Sequence, residues 1–355
     1  MTAFSTTAAH RARLALSTSA YAPAPAAREG ALAVPQARYL GRRLAGMVGK
    51  AERVLWDRSP VILMYHRVAA CADDPWGIAV DPARFDEQMA ALKRVRQVVP
   101  LDEVLAWQGH GRRGARPLAA ITFDDGYHDA LTQALPILER HDCPATVFVV
   151  SGLVGSGRGF WWDELVRVLM SAPAGGAPLS LTTGGRTSTW RPPDHLQGRR
   201  RLCRQVRRRL RNLDPDEIDR QLDAICAWAG LSRWLDPGDR LLTGEDVARL
   251  SGSLVGIGAH TVRHPSLPAL APEAQLREMA ESRSACEEWT GRPVEHFAYP
   301  FGHYDRSSLA AARAAGFRSA CATTPGVVRP WSDPLRLARI SPGRMDGEAL
   351  GKLLS

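Results

Sequence analysis

No apolar run in the 355 residues approaches the roughly 18 that a membrane-spanning helix needs, so this is not an integral membrane protein of helical type. No Cys-x-x-Cys pair occurs either. The six cysteines (Cys71, Cys143, Cys203, Cys226, Cys286, Cys321) are scattered, which gives no disulfide framework and predicts reduced, partly buried thiols. Acidic residues are missing until Glu29, and Leu14 and Leu16 do not make the apolar core of about 7–15 residues that a secretory signal carries. Residues 1–35, rich in Ala, Ser, Thr and Pro, therefore read as a disordered tail, and the chain as cytoplasmic. No internal repeat is present.

Apolar residues make up 45% and charged residues 23%, proportions that exclude wholesale disorder, a collagen-like fibre and a coiled-coil rod. Lys and Arg number 46 against 37 Asp and Glu, a net charge of +9. Much of that excess is local, because Arg191 to Arg211 holds nine arginines against the single acid Asp194. Two explanations stay open: an anionic partner, or the solvated face of a helix. Neither aromatic interleaving nor a known binding module points to nucleic acid. Residues 36–58 form a second basic stretch, with Leu40, Leu44, Met47, Ala51, Val54 and Leu55 near helical spacing. Such a helix can lie on an anionic membrane surface, giving peripheral contact with the inner membrane, or pack on the protein's own core.

From Pro60 onward, strand-like and helix-like runs alternate. Pro60–Tyr65, Leu118–Phe123, Thr146–Val150, Leu254–Ile257, His296–Tyr299, Ser319–Thr323 and a late Leu337–Ile340 read as strands. Helices are expected after Asp81, over Asp129–Glu139, from Pro272 to Trp289, and from Asp305 to Gly316. This order argues a parallel α/β sheet or barrel. Residues 155–240 break the rhythm and read as a two-helix insertion over one barrel face, the first helix being the arginine-rich one.

Chemistry concentrates just after three of these strands, where α/β folds gather their ligands. Thr122-Phe123-Asp124-Asp125-Gly126 sets two carboxylates side by side, which costs repulsion unless a cation or a proton offsets it. Taken alone it could be a solvated turn. Gly258-Ala259-His260-Thr261-Val262-Arg263-His264-Pro265 places two histidines four apart, on one face if the segment turns helically. With an Asp they make a His₂Asp set that suits Zn²⁺ with open positions, and also Fe²⁺, Co²⁺ or Ni²⁺. The third element, Phe297-Ala298-Tyr299-Pro300-Phe301-Gly302, is a strand running into a constrained turn.

Together, in this order, the three resemble the polysaccharide deacetylase family (the NodB-homology domain, carbohydrate esterase family four). The Tyr65-His66-Arg67 start and the Phe-x-Tyr-Pro-Phe-Gly turn are similar to one bacterial branch of it. The resemblance implies a distorted (β/α)₇ barrel of α/β class over residues 59–345, with 155–240 as a helical insertion. It implies a metal held by Asp125, His260 and His264, Asp124 as the general base acting on water, and the Phe301 backbone N–H as an oxyanion donor. The implied reaction is hydrolysis of the N-acetyl group of an amino sugar in a polysaccharide, chitooligosaccharide or lipid-linked glycan, releasing acetate. Tyr299, Pro300, Trp161 and Trp162 would meet the sugar, although Trp161 and Trp162 could equally anchor the insertion.

Two departures from the family pattern carry consequences. Ala298 stands where many members place an Arg that orients the base, and Arg339 is the candidate replacement. No histidine follows His303, so the late Leu-x-His acid is missing, and His66 is the candidate for protonating the leaving amine. The alternatives are hydrolysis of a non-sugar amide and a non-catalytic anion-binding protein that uses the arginine helix.

Overall fold

Val61–Tyr65, Leu118–Phe123 and Ala145–Val149 are continuous apolar runs without the alternation of a one-sided strand. Every residue in them is buried, as in a parallel sheet covered on both faces. The computed structural model describes residues 58–71, 73–110, 116–173, 176–233 and 237–355. The tail expected over 1–35 and, apart from Arg58, the helix expected over 36–58 lie outside the described residues.

In chain order the barrel region supplies β1 (Val61–Tyr65), β2 (Arg67–Val68), β3 (Ala79–Val80), α1 (Pro82–Val95), β4 (Gln97–Val98), α2 (Leu101–His110), β5 (Leu118–Phe123), α3 (Leu135–Arg140) and β6 (Ala145–Val149). The insertion follows with α4 (Trp161–Ser171), β7 (Leu179–Thr183), β8 (Arg186–Trp190), α5 (Leu196–Leu210) and α6 (Pro215–Ala229). The barrel then resumes with α7 (Gly244–Ser251), β9 (Val255–Ala259), α8 (Pro272–Thr290), β10 (His296–Ala298), α9 (Arg306–Ala314), β11 (Ser319–Cys321) and α10 (Gly347–Leu354).

The main sheet runs β1-β5-β6-β9-β10-β11 with every pairing parallel, and β4 joins the start of β5. Segment 337–340 bridges its two edges. Leu337 N–H donates to Ala320 O at 2.9 Å on the β11 side, and Ile340 N–H donates to Ile62 O at 2.8 Å on the β1 side. That segment is a seventh stave, so the fold is a curled (β/α)₇ barrel whose strands all point their carboxyl ends to one rim.

Local signals explain several boundaries. Asp81 caps α1 by accepting from Ala83 N–H, with Pro82 at the first helical position. The helix expected over 129–139 opens instead with a π-helical turn, Ala130–Ala134, before α3. The segment before β1 and the C-terminal helix are tied by Arg96, which is 2% exposed and donates to Leu354 O through Nε and Nη2 and to Ser59 O through Nη1.

Over 155–240 the structure holds more than two helices. Besides α5 and α6 it contains α4 and an antiparallel β7–β8 hairpin that turns at Gly184 and Gly185, both at positive φ. The Gly-Gly pair is the primed-turn signature, and it sits between a Leu179/Leu181/Thr183 alternation that faces inward and Arg186–Trp190. These elements bury their own core, including Leu165, Leu169, Leu181, Leu202, Val206, Leu210, Leu222 and Ile225. Arg199 of α5 caps the end of α4, donating through Nη1 to Leu169 O, Met170 O and Ala172 O.

Close packing at the barrel wall can be tested at Gly258 in β9. A Cβ there would stand 2.4 Å from the Phe148 ring and 3.0 Å from His296 O. Gly258→Ala should cost about 1–3 kcal/mol of unfolding free energy through overpacking. Urea denaturation checks it, and an unchanged midpoint would contradict the packing described.

Candidate active site

The functional side chains hang from the carboxyl ends of four strands. Asp124 and Asp125 follow β5, His66 follows β1, His260 follows β9, and the Tyr299–Gly302 turn follows β10. Five described non-glycine residues have positive φ, and four lie here: Asp125 (79°), Thr261 (68°), His264 (56°) and Phe301 (58°). Left-handed backbone at non-glycine residues costs of order 1–3 kcal/mol each and persists where surrounding structure enforces it, commonly at functional sites.

The loop after β9 shows that enforcement. Its backbone is not a helical turn, contrary to the simplest basis for a His-x-x-x-His pair. Instead Thr261 and His264 turn left-handed, Thr261 Oγ1 accepts from His264 N–H at 3.0 Å, and the buried Glu278 carboxylate of α8 accepts from Val262 and Arg263 N–H at 2.8 and 3.0 Å. The two imidazoles converge by this route. Asp125 Oδ1 stands 3.4 Å from both His260 Nε2 and His264 Nε2, all three side chains are buried, and their ligand atoms lie within 4.8 Å of one another.

The donor set fits a metal. Zinc–ligand distances of about 2.0–2.1 Å in a tetrahedron put neighbouring ligand atoms roughly 3.3 Å apart, close to the two separations seen. His260 Nδ1 is 2.7 Å from Ala298 O, which holds the ring and leaves Nε2 for the centre. His264 Nδ1 is buried without a partner. Burial, then the neighbouring His260, push the His264 imidazole down to about 3, so it is the neutral form a metal needs. Asp125 is raised by burial, but the His260 hydrogen bond and the charges of His66 and His264 outweigh this and leave it below its ordinary value.

Asp124 is held differently. Arg339, from the seventh stave, donates from Nη1 to Oδ1 at 2.7 Å and from Nη2 to Oδ2 at 2.6 Å, a bidentate fork with both groups buried. Its Nε donates to Ala322 O and its Nη1 also reaches Thr122 Oγ1. Burial works to raise the Asp124 carboxyl, and the Arg339 charge and fork overcome it, so the group lies well below the usual carboxylate range. Each oxygen keeps a lone pair for water. His66 is half-buried beside the pair, its charge acting on both Asp124 and Asp125.

The residues expected to touch sugar are placed otherwise. Tyr299 is fully buried, with its hydroxyl donating to Leu335 O at 3.0 Å, and Pro300 is buried beside it, so both shape the turn instead of lining a groove. Trp162 is buried too. It stacks on Phe160 at 4.2 Å, donates from Nε1 to Tyr127 Oη at 3.0 Å, and meets the His264 ring at 4.7 Å. Trp161 is half-buried between the insertion's core and that aromatic cluster. Phe301 packs edge-on against His264 at 4.5 Å. Gly302, at φ 69°, lets the turn pack against Thr323, since a Cβ would fall 2.0 Å from Thr323 Oγ1.

Other site residues carried no clear sequence signal. Asp163, in the first turn of α4, is pushed well above its ordinary range by burial, then by Asp239, while Tyr127 Oη donates to its Oδ2 at 2.7 Å. Arg207, one of nine arginines in a run, turns toward the centre instead of facing water.

The polysaccharide deacetylase family matches residues 111–173 and 234–320. Over these stretches the chain belongs to that family. They contain Asp124, Asp125, His260, His264 and Phe301, and leave out His66, Arg207 and Arg339. The protein YxkH of Bacillus subtilis (strain 168), named among the polysaccharide deacetylases, is 31% identical over 112 residues, 31% of this chain and 40% of YxkH. The chain thus matches less than half the length of that relative. Among solved structures, the Streptococcus pyogenes deacetylase PplD in complex with acetate aligns with TM-score 0.57 and 19% identity, covering 84% of this chain and 98% of that one. IcaB from Ammonifex degensii aligns with TM-score 0.54 and 17% identity, covering 84% and 96%. At these identities the likeness establishes the shared fold.

Arg339→Gln should lower unfolding free energy by about 3–5 kcal/mol at pH 7, because it leaves a buried carboxylate unpaired. The loss should shrink at low pH. A depressed Asp124 pKa gives stability that is full above the ordinary carboxylate value of about 3.9 and fades below it. In the variant burial alone raises that pKa, so protonation stabilises instead. Urea titrations at pH 7 and pH 4.5 check this, and an equal loss at both would refute the pairing.

Proposed function

We propose that this protein is a metal-dependent hydrolase that removes the N-acetyl group from an amino sugar of a polysaccharide, chitooligosaccharide or lipid-linked glycan, releasing acetate. The observation that carries the reading is the Asp125 carboxylate equidistant from two imidazole Nε2 atoms, next to a second carboxylate held by an arginine. Zn²⁺ suits the His₂Asp set best, with Fe²⁺, Co²⁺ and Ni²⁺ compatible. A bound dication would supply Lewis acidity, polarising the acyl oxygen and bringing the pKa of water toward about 7.

Asp124 stays ionised and, held by Arg339, presents its free lone pairs to the attacking water and takes its proton. Water oxygen adds to the acyl carbon, the C–N bond breaks, and the amine nitrogen gains a proton. In this reading His66 gives that proton. The Phe301 N–H, presented by a left-handed turn, serves the oxyanion. Trp162 and Phe301 wall the ligand imidazole and keep water from its far side.

No helix among the described residues is long and apolar enough to cross a membrane. All six cysteines are unpaired, which supports the cytoplasmic reading.

The test is acetate release from N-acetylglucosamine oligomers by Zn²⁺-loaded protein. Asp124→Asn should lower turnover by about 10²–10⁴-fold, the usual contribution of general base catalysis, with one metal still bound per chain. Turnover unchanged in that variant would refute the base. Metal bound with no acetate released from any sugar would redirect the reading to a non-sugar amide. His66→Gln should likewise depress turnover while metal content is unchanged, and normal rates would remove it from the mechanism.

A further inference from the structure

The arginines of α5 divide by what they touch. Arg199 caps α4, Arg200 pairs with Asp73 at 2.9 Å, and Arg209 donates to the hairpin carbonyls of Thr183 and Arg186. Arg207 has no such partner. Its guanidinium lies between two aromatic rings, Cζ 5.0 Å from the Trp76 ring centre and 5.5 Å from that of Phe301, with Nε buried and unbonded. No carboxylate oxygen of the described residues lies within salt-bridge distance of it. Burial, then the charge of Arg211, lower its pKa to about 10 against the opposing pull of Asp125, Tyr127 and Asp163.

Three more groups complete the corner. Arg211 Nε is also buried without a partner, as is the indole Nε1 of Trp76. His303 feels both guanidiniums and, through burial first and those charges next, is pushed down to about 4, so it adds no third positive charge. The corner belongs to the catalytic mouth: Phe301, under Arg207, is the ring that packs on His264 at 4.5 Å. Arg207 is half-buried, and its close contacts in the protein are aromatic rings, so its guanidinium donors remain open to an anionic ligand.

We infer that Arg207, with Arg211 and the Trp76 indole, forms a phosphate-binding subsite one aromatic ring away from the Asp125–His260–His264 centre. This deepens the proposed deacetylation and rests on it: the substrate is an N-acetylated amino sugar that carries a phosphate close to the amide. Two guanidiniums match a group of about two negative charges better than a carboxylate of one, and the guanidinium fork suits phosphate oxygens. In a 2-acetamido sugar the amide sits on the carbon next to the anomeric one, so an anomeric phosphate falls within such a corner. The phosphate can come from a soluble sugar phosphate or from a lipid-linked sugar diphosphate.

Calorimetric binding to metal-free full-length protein separates this from catalysis. N-acetylglucosamine 1-phosphate should bind about 10–100-fold tighter than N-acetylglucosamine, the range for charged hydrogen bonds. Arg207→Gln should abolish that preference without weakening the neutral sugar, Arg207→Lys should restore part of it, and Arg201→Gln, an exposed change of equal charge on the same helix, should leave it intact. Equal affinity for the two sugars, or an equal loss in Arg201→Gln, would overturn the subsite. A preference that depends on Arg207 with no acetate released would keep the subsite and sink deacetylation. Acetate release from neutral oligomers without any preference would do the reverse. With the Zn²⁺ enzyme, Arg207-dependent turnover of a short prenyl-diphosphate sugar assigns the lipid-linked source, and turnover confined to the sugar 1-phosphate assigns the soluble one.

Discussion

The Arg339–Asp124 pair is the constraint around which the barrel closes. A guanidinium and a carboxylate, both almost without solvent contact, can remain ionised there only if each satisfies the other and the spare donors find oxygens. The fork to Asp124, Thr122 and the Ala322 carbonyl does so, and it requires the seventh stave to lie between β11 and β1. Barrel closure and the orientation of the Asp124 carboxylate are therefore one structural event. The cost falls on basicity: a carboxylate so strongly paired is a weak proton acceptor. The proposed chemistry accommodates this only if the water is itself acidified, which ties the usefulness of Asp124 to an occupied Asp125–His260–His264 set.

That dependence gives the strained backbone a reason. Asp124 and Asp125 are consecutive, yet one must face the arginine and the other the imidazoles. The positive φ at Asp125 separates the two side chains. Thr261 and His264 perform the matching turn after β9 on the same rim, with Glu278 holding the loop by its N–H groups. Two carboxylates that would repel each other in one environment are thus given two environments with different counter-charges.

The sequence disclosed strand ends far better than side-chain orientations. Asp124, Asp125, His260 and His264 were legible because strand–turn boundaries and residue type coincide, and α/β folds place chemistry at those boundaries. Arg339 was nameable once Ala298 left an orienting role vacant, and the structure brings it to Asp124 with two bonds. Aromatic residues misled. Trp162 and Tyr299 resemble sugar platforms in sequence, but their polar atoms find internal partners in Tyr127 and Leu335, so they are buried. The β7–β8 hairpin was marked by Gly184-Gly185 and overshadowed by the charge run that follows it. Residues 1–57 are not described, and the basic stretch there stands as a sequence reading alone.

The insertion shows why charge counting and site geometry must be read together. A run of nine arginines predicts a surface, and part of it behaves so, but helical periodicity sends some of the run inward. Arg199 spends its donors on the end of α4, and Arg207 arrives at the catalytic mouth with none used on the protein. An element that the family match omits, residues 174–233, therefore contributes a charged wall to a centre that the match includes. The barrel supplies the Asp125–His260–His264 cluster, within the stretches that the family match covers. The insertion, by adding a cation beside Phe301, is where this chain's selection among acetylated sugars would be set.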